Sequence, residues 1–462
     1  MSRALVYGLA VAGESTVRAL LRRGVDVVVA DDVVDEQRTG LAAELGVDLL
    51  ERPDVDTLRS LISSCDVVSP APGVPETHDV VTIAHALGVE VVSEIELAYR
   101  WEQDRPGGPR PMLAITGTDG KTTTTLLAVE ILRAAGLRTV DAGNTSTPLV
   151  DAIEQDLDAF VVECTSFRLA WTPTFRAEAA VWLNLAPDHL NWHRSMDTYE
   201  AAKAQVWANQ RPDDVAIGFV DDPVVMARLG SAPGRQVTFG AHGADYRVDD
   251  DRLVGPNGVI ARVGAMKRSL PHDITNALAA SALVSETGLA HTDAIADALA
   301  SFSGPAHRLE HLGTWAGVAW YNDSKATTPH AASAAIRSFG GLILIAGGYD
   351  KGVDLGSMAA ETAGVDAVIA VGDTGPAVAA AFAGGDRVQI VDDLADAVDV
   401  AAAIARPGST VLLSPGCASF DQYTGFEARG DHFRGLVLER FGGPEAPAGH
   451  STTTTMNHGG SR

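Results

Sequence analysis

MLAITGTDGKTTTT, residues Met112–Thr125, decides the fold of the chain. The apolar run MLAIT reads as a strand. It passes into a short glycine loop, Gly117-Thr118-Asp119-Gly120, which ends in Lys121 and Thr122. TTTTLLAVEILRAA then has the pattern of an amphipathic helix, closed by Gly136. In a strand, glycine loop and helix, backbone N–H groups turn inward around a phosphate and the helix N-terminus adds partial positive charge. Lys121 is then placed to reach the outer phosphates, and the hydroxyl of Thr122 or Thr123 to hold Mg²⁺. The general phosphate loop asks for glycine at position 115, where this chain has Ile115; the form present is the shorter T-G-T-x-G-K-T. A chance GKT is the competing reading, opposed by the strand before it and the helix after it.

A chain of 462 residues calls for about three domains. Its 46% apolar content is enough for several cores. A net charge of −25 argues against nucleic-acid binding as the main task. Cys65, Cys164 and Cys417 lie far apart and form no C-x-x-C pair, so a reducing, cytoplasmic compartment is expected rather than a disulfide framework or zinc site. MSRALVYGLAVAG has a signal-like apolar run, but Gly8 breaks it and helix then strand patterns follow. No run of 18 apolar residues exists, so no membrane insertion is expected. The tail, 442–462, is poor in apolar residues and reads as disordered.

Residues 1–108 open with strand ALVYGLA, helix ESTVRALLRRG and strand VDVVVADD, a β-α-β unit of the nucleotide-binding kind. The dinucleotide fingerprint would need glycine at position 10, where Ala10 stands between Gly8 and Gly13. A nucleotide on the same helix N-terminus is favoured over NAD. Asp31 or Asp32 is placed to meet a ribose or base edge, with a solvated loop as the alternative. WEQDRPGGPRP, residues 101–111, is the best linker in the chain.

Within residues 109–306, strand AFVVE ends at Glu163 and strand AAVWLNL precedes Asp188 and His189. Lys121, Asn144, Glu163 and His189 therefore fall at or just beyond the C-terminal ends of strands. In an open parallel sheet those ends face one crevice, and an acid there is placed to hold Mg²⁺. Taken alone, Glu163 also reads as a helix-capping acid and His189 as a structural histidine; their shared position in the sheet weakens both readings. Lys203, in the alanine-rich helix MDTYEAAKAQVW, reads by itself as a surface lysine. Residues 215–264 read as short strands and turns. Residues 307–441 alternate strands and helices again, with polar clusters at strand ends: Asp323, Ser324 and Lys325; Asp350 and Lys351; Ser414, Ser419 and Asp421.

TGTDGKTT, GNTSTPL, ECTSFRL, LNLAPDHLNWH, AAKAQVW, HRLE, DSKATTPHA, GGYDKG and SPGCASFDQYTGFEARGDHF, in that order, resemble the Mur ligase family from about residue 3 to 441. The resemblance implies an α/β protein of three domains: a Rossmann-like N-terminal domain for a UDP moiety, a central P-loop-type ATPase domain, and a Rossmann-like C-terminal domain that closes over ATP. It implies an ATP-dependent ligase of peptidoglycan precursor synthesis, a monomer, that adds D-glutamate to UDP-N-acetylmuramoyl-L-alanine through an acyl phosphate. Gly117, Thr118, Asp119, Gly120, Lys121, Thr122 and Thr123 then hold ATP, together with Arg308, Asp323 and Lys325. Thr122, Glu163, His189 and a carbamylated Lys203 hold Mg²⁺, two ions being expected. Asn144, Thr165 and Arg168 face the muramyl substrate, and Thr327, Lys351, Ser419 and Phe426 lie around glutamate.

The chain departs from the family pattern at four places. Asp119 stands where Asn is usual. Arg168, in ECTSFRL, replaces a substrate-facing glutamine. GNTST replaces a GNIG-like run, and Thr328 stands where Asn is usual. Alternatives are an L-glutamate-adding muramyl ligase, a folylpolyglutamate synthase (opposed by DSKATTP and SPGCASFDQ), an inactive UDP-sugar sensor (opposed by the intact Lys121, Glu163 and Lys203), and an NAD oxidoreductase, opposed by Ala10.

Overall fold

The computed structural model of the protein describes residues 1–350, 352, 354–361, 363–382 and 388–443. The chain forms two compact units, Met1–Phe302 and a second that begins at Ser303. Most of the expected tail and Lys351 lie outside the described residues.

The first unit holds two sheets. Strands β1 (Arg3–Tyr7), β2 (Asp26–Asp31), β3 (Asp48–Glu51), β4 (Val67–Pro70) and β5 (Glu90–Val91) form a parallel sheet in the order β3-β2-β1-β4-β5. The signal-like N-terminal run is thus its central strand. The second sheet contains β6 (Met112–Thr116), β7 (Thr139–Gly143), β8 (Ala159–Glu163), β9 (Ala179–Trp182), β10 (Val215–Phe219), β11 (Arg235–Gly240), β12 (Tyr246–Asp249), β13 (Arg252–Gly255) and β14 (Gly258–Arg262). Its order is β14-β13-β12-β11-β10-β9-β6-β8-β7. The strands from β7 to β12 are parallel, and β12, β13 and β14 finish the edge as an antiparallel meander. Residues 215–264 also contain the helix Pro223–Leu229, which Asp222 caps by accepting from the Val224 and Val225 N–H groups.

The helix after the glycine loop, Lys121–Ala134, differs from its expected amphipathic character. Thr123–Thr125, Leu127–Val129, Ile131 and Leu132 are all buried. Helices Pro271–Ser285 and Thr292–Ser301 cover one side and β7 and β8 the other. The threonine-rich first turn is enclosed because a second helix layer lies over it, which no local pattern reveals.

Residues from both sheets enter one apolar cluster: Val6, Val17 and Ile95 on one side, Phe160, Trp182 and Trp207 on the other. The connection 101–111 is clamped rather than free. Arg110, 8% exposed, donates to both oxygens of Glu102 (2.8 and 2.7 Å) and to the Ile153 and Gln155 carbonyls (2.6 and 2.7 Å). Its guanidinium lies over the Phe160 ring.

In the second unit, β15 (Glu310–Trp315), β16 (Val318–Asn322), β17 (Leu342–Gly347), β18 (Val365–Val371), β19 (Val388–Val391) and β20 (Thr410–Leu413) form a sheet in the order β15-β16-β20-β17-β18-β19. Only β15 runs antiparallel to its neighbour. All three sheets are therefore parallel or mostly parallel and covered by helices, the α/β class that the sequence indicates. Among the described residues no helix is long and apolar enough to cross a membrane.

Breaking a buried ion pair by removing one partner typically costs about 3–5 kcal/mol. Arg110→Ala strands Glu102, 2% exposed, and frees two carbonyls. Calorimetric unfolding of the variant is expected to show a loss of that size, and a wild-type melting temperature would refute the clamp.

Candidate active site

The loop between β6 and its helix owes its shape to two glycines. Gly117 has φ +155° and Gly120 φ +83°. A Cβ at Gly117 would lie 2.9 Å from the Leu183 Cβ, and one at Gly120 would lie 2.6 Å from the Asn276 Oδ1. Both positions therefore need glycine for conformation and for space. Asn184, just past β9, accepts from the Thr118 and Asp119 N–H groups at 2.9 and 2.8 Å. The Thr118 Oγ1 meets the Tyr199 hydroxyl at 3.1 Å and accepts from the Ala186 N–H at 2.9 Å. Lys121 Nζ donates to the Gly117 and Thr118 carbonyls at 2.8 Å each.

Lys203 is 1% exposed, not the surface lysine that its helix suggests. Its Nζ also donates to the Gly117 carbonyl, at 2.6 Å, and lies 4.6 Å from the centre of the Tyr199 ring. Burial first, then the Lys121 charge, push its pKa well below the usual lysine range. The neutral, nucleophilic form of the amine is thereby favoured over what an exposed lysine would show.

Glu163 ends β8 beside Gly143, the end of β7. The Asn144 N–H donates to the Glu163 carbonyl at 3.0 Å, and its Nδ2 to Glu163 Oε1 at 2.9 Å. Glu163 is 2% exposed, and its Oε2 is buried without a hydrogen-bond partner. An open carboxylate oxygen beside a phosphate loop fits a hard cation such as Mg²⁺. Among the described residues no three His, Cys, Asp or Glu side chains converge as a cage.

Arg168 lies behind Asn144. It donates to the Asn144 Oδ1 at 2.7 Å and to the Glu94 Oε1 at 3.2 Å. Thr165 caps the short helix Ser166–Leu169, its Oγ1 accepting from the Arg168 N–H at 3.4 Å. His189 sits at φ +55°, in the left-handed region, with its ring edge-on to Phe167 and its Nε2 3.2 Å from the Asp188 carboxylate. Burial is the main cause that lowers its pKa. Lys121 and Lys203 thus meet at the Gly117 carbonyl beside Thr118, while Arg168, Asn144 and Glu163 form a second hydrogen-bonded group at the end of β8, the strand that pairs with β6.

In the first sheet Asp31 is buried, and its carboxylate accepts from the Leu9 N–H at 2.7 Å and the Val33 N–H at 3.0 Å. Asp32 accepts from the Tyr7 hydroxyl at 2.7 Å. The Gly13 Cα lies against the Gly8 carbonyl, where an added Cβ would come to 1.9 Å.

The second unit gathers its own cluster. Asp323, past β16, accepts from the Leu309 N–H at 3.1 Å and the Ser414 hydroxyl at 2.8 Å. Lys325 Nζ lies 5.6 Å from the Phe426 ring centre. Arg429 holds this cluster in place. It is 3% exposed and donates to the Ser324 Oγ and carbonyl and to the Cys417 and Ala418 carbonyls. Burial lowers its pKa to about 10. Ser419 is buried and Arg308 and Thr327 are half-buried.

Residues 115–284 match the Mur ligase middle domain, and residues 307–417 match the Mur ligase glutamate ligase domain. A UDP-N-acetylmuramoylalanine–D-glutamate ligase of Frankia casuarinae is 40% identical over 95% of this chain and 94% of its own. The chain belongs to the Mur ligase family. A protein of the same name from Streptomyces coelicolor is 36% identical, over 94% of this chain and 97% of its own. Among solved structures, a UDP-N-acetylmuramate–alanine ligase of Thermotoga maritima superposes with TM-score 0.56 at 17% identity, covering 95% of this chain and 100% of that one. A MurF ligase of the same organism, in complex with ADP, gives TM-score 0.56 at 15% identity, covering 95% of this chain and 96% of that one. At such identities these structures speak to the fold alone.

Several residues of this Mur ligase site escape a reading by motif. Asn184, Tyr199 and Glu94 reach the loop or its neighbours from far along the chain. Asn184 lies within LNLAPDHLNWH, where the eye goes to His189. Arg429 lies within the ARGDHF motif, and its burial could not be read there.

Because Lys203 has a folded-state pKa below its unfolded 10.5, protonation favours the unfolded chain at any pH below that value. Lys203→Met, in CO₂-free buffer at neutral pH, is expected to raise the melting temperature. The gain should shrink as pH rises toward 10.5. A melting temperature that falls at all pH values would contradict a destabilising charge on this buried amine.

Proposed function

We propose that the protein is an ATP-dependent ligase that joins D-glutamate to UDP-N-acetylmuramoyl-L-alanine in peptidoglycan precursor synthesis. The observation that carries this reading is a phosphate loop set beside a buried carboxylate, Glu163, that keeps one oxygen open. The names of relatives 36–40% identical over most of the chain support the choice of substrates.

A carboxylate is a poor electrophile, and ATP makes it an acyl phosphate. One oxygen of the alanyl carboxylate attacks the γ-phosphorus and ADP leaves; the glutamate nitrogen then attacks the acyl carbon, loses a proton and expels phosphate. Mg²⁺, when bound with ATP, offsets the crowding of anions during the first transfer. The loop N–H groups and Lys121 hold the phosphates. Lys121 is tied to loop carbonyls in the structure, so ATP offers it an anion in place of two neutral acceptors.

We assign Thr122, Glu163, His189 and Lys203 to two Mg²⁺ ions. An ammonium repels a cation, but a neutral Lys203 amine can attack CO₂, forming an N–C bond and losing a proton to leave a carbamate with two hard oxygens. From the second unit, Arg308, Asp323 and Lys325 are assigned to the nucleotide, and Thr327, Lys351, Ser419 and Phe426 to glutamate. Asn144, Thr165 and Arg168 are assigned to the muramyl side. Residues 1–108 take the UDP moiety, 109–306 ATP, and 307–441 supply contacts to both ATP and the amino acid.

Phosphate release is expected to require ATP, UDP-N-acetylmuramoyl-L-alanine and D-glutamate together, with product mass increased by one glutamate residue. Preference for L-glutamate in direct competition, read by product stereochemistry, would move the protein to the L-glutamate-adding class. Release independent of the UDP substrate would discard the ligase reading.

Lys203→Ala is expected to lose activity by about 10²-fold or more, with partial recovery on adding short carboxylic acids. A fully active variant would rule out the carbamate.

A further inference from the structure

Arg168 is 6% exposed, and its guanidinium joins two layers of the first unit. Nε donates to Glu94, which opens the helix Glu94–Gln103 after β5, and Nη1 donates to the Asn144 Oδ1. Glu94 is 4% exposed and is steadied in turn by the Val150 N–H, at 3.3 Å from its Oε2.

Arginine has donors only. The Asn144 carbonyl oxygen must therefore face Arg168, and its NH₂ must face Glu163. That orientation puts Nδ2 2.9 Å from Glu163 Oε1 and leaves Oε2 buried and open. The opposite amide orientation would aim Oδ1 lone pairs at the carboxylate and leave Oε1 without its donor. A lysine supplies a point charge and cannot hold Glu94 and Asn144 in one planar fork.

We propose that Arg168 is a positioning residue for Mg²⁺: acting through Asn144, it holds Glu163 with Oε2 turned to the metal. This rests on the metal role given to Glu163 under the proposed function. Glu94 anchors the guanidinium, so metal affinity at the end of β8 depends on a residue from the layer of the first sheet.

The test is direct binding of Mn²⁺ to the full chain with a non-hydrolysable ATP analogue, followed by electron paramagnetic resonance. Groups that orient a metal ligand typically change affinity about 10- to 100-fold. Glu163→Gln, Arg168→Gln and Asn144→Ala should each weaken Mn²⁺ binding by about tenfold or more. Because Arg168 acts through Asn144, the double variant Arg168→Gln/Asn144→Ala should bind no more weakly than the weaker single. If Arg168→Gln does not fold, Glu94→Gln/Arg168→Gln removes both charges together and replaces it in the comparison. Wild-type Mn²⁺ affinity in the folded Arg168 variant, or additive losses in the double variant, overturns the positioning role alone. Unchanged binding in Glu163→Gln overturns the metal site and this proposal with it.

Discussion

The carbonyl of Gly117 receives two lysines, Lys121 at 2.8 Å and Lys203 at 2.6 Å. Two amino groups on one acceptor, with Lys203 buried, set the electrostatics of the site. Burial and the neighbouring Lys121 charge lower the Lys203 pKa, and the two side chains together bring positive charge to the turn of the loop. The arrangement needs the loop to turn its carbonyl inward, which the φ of +155° at Gly117 permits and a Cβ against Leu183 would block.

Around this point the chain spends buried polar groups sparingly and joins them in lines. Glu94, Arg168, Asn144 and Glu163 form one line. Asn184, Thr118 and Tyr199 form another. Each begins on an element that packs in the apolar core and ends at the strand tips. The chemistry proposed for this site thus rests on side chains whose own positions are fixed by burial, as a preorganised site requires.

The strands, the glycine loop and the acid at the end of β8 were legible because each is a local pattern: an apolar run, a glycine pair, a charge at the end of an apolar run. Lys203 was not legible from its helix, since an alanine-rich stretch looks the same whether it faces water or a core. Its burial comes from Tyr199 and the loop of Gly117, 86 residues away along the chain. Asp31 also kept two readings open, and its pairing with the Leu9 N–H is a contact across 22 residues. The Arg110 clamp hid in the stretch that looked most like a linker, because proline and glycine content says nothing about where an arginine side chain goes.

The order β15-β16-β20-β17-β18-β19 gives the last of the described strands an interior place in its sheet. β20 pairs with β16 on one side and β17 on the other. Until residues 410–413 emerge during synthesis, the sheet exists as two pieces with unpaired edges, β15 with β16 and β17 with β18 and β19. Unpaired edges invite association with other chains. A nascent polypeptide stalled before Thr410 is therefore a candidate for aggregation or chaperone capture, and the Asp323–Ser414 hydrogen bond can form only once that keystone has been laid.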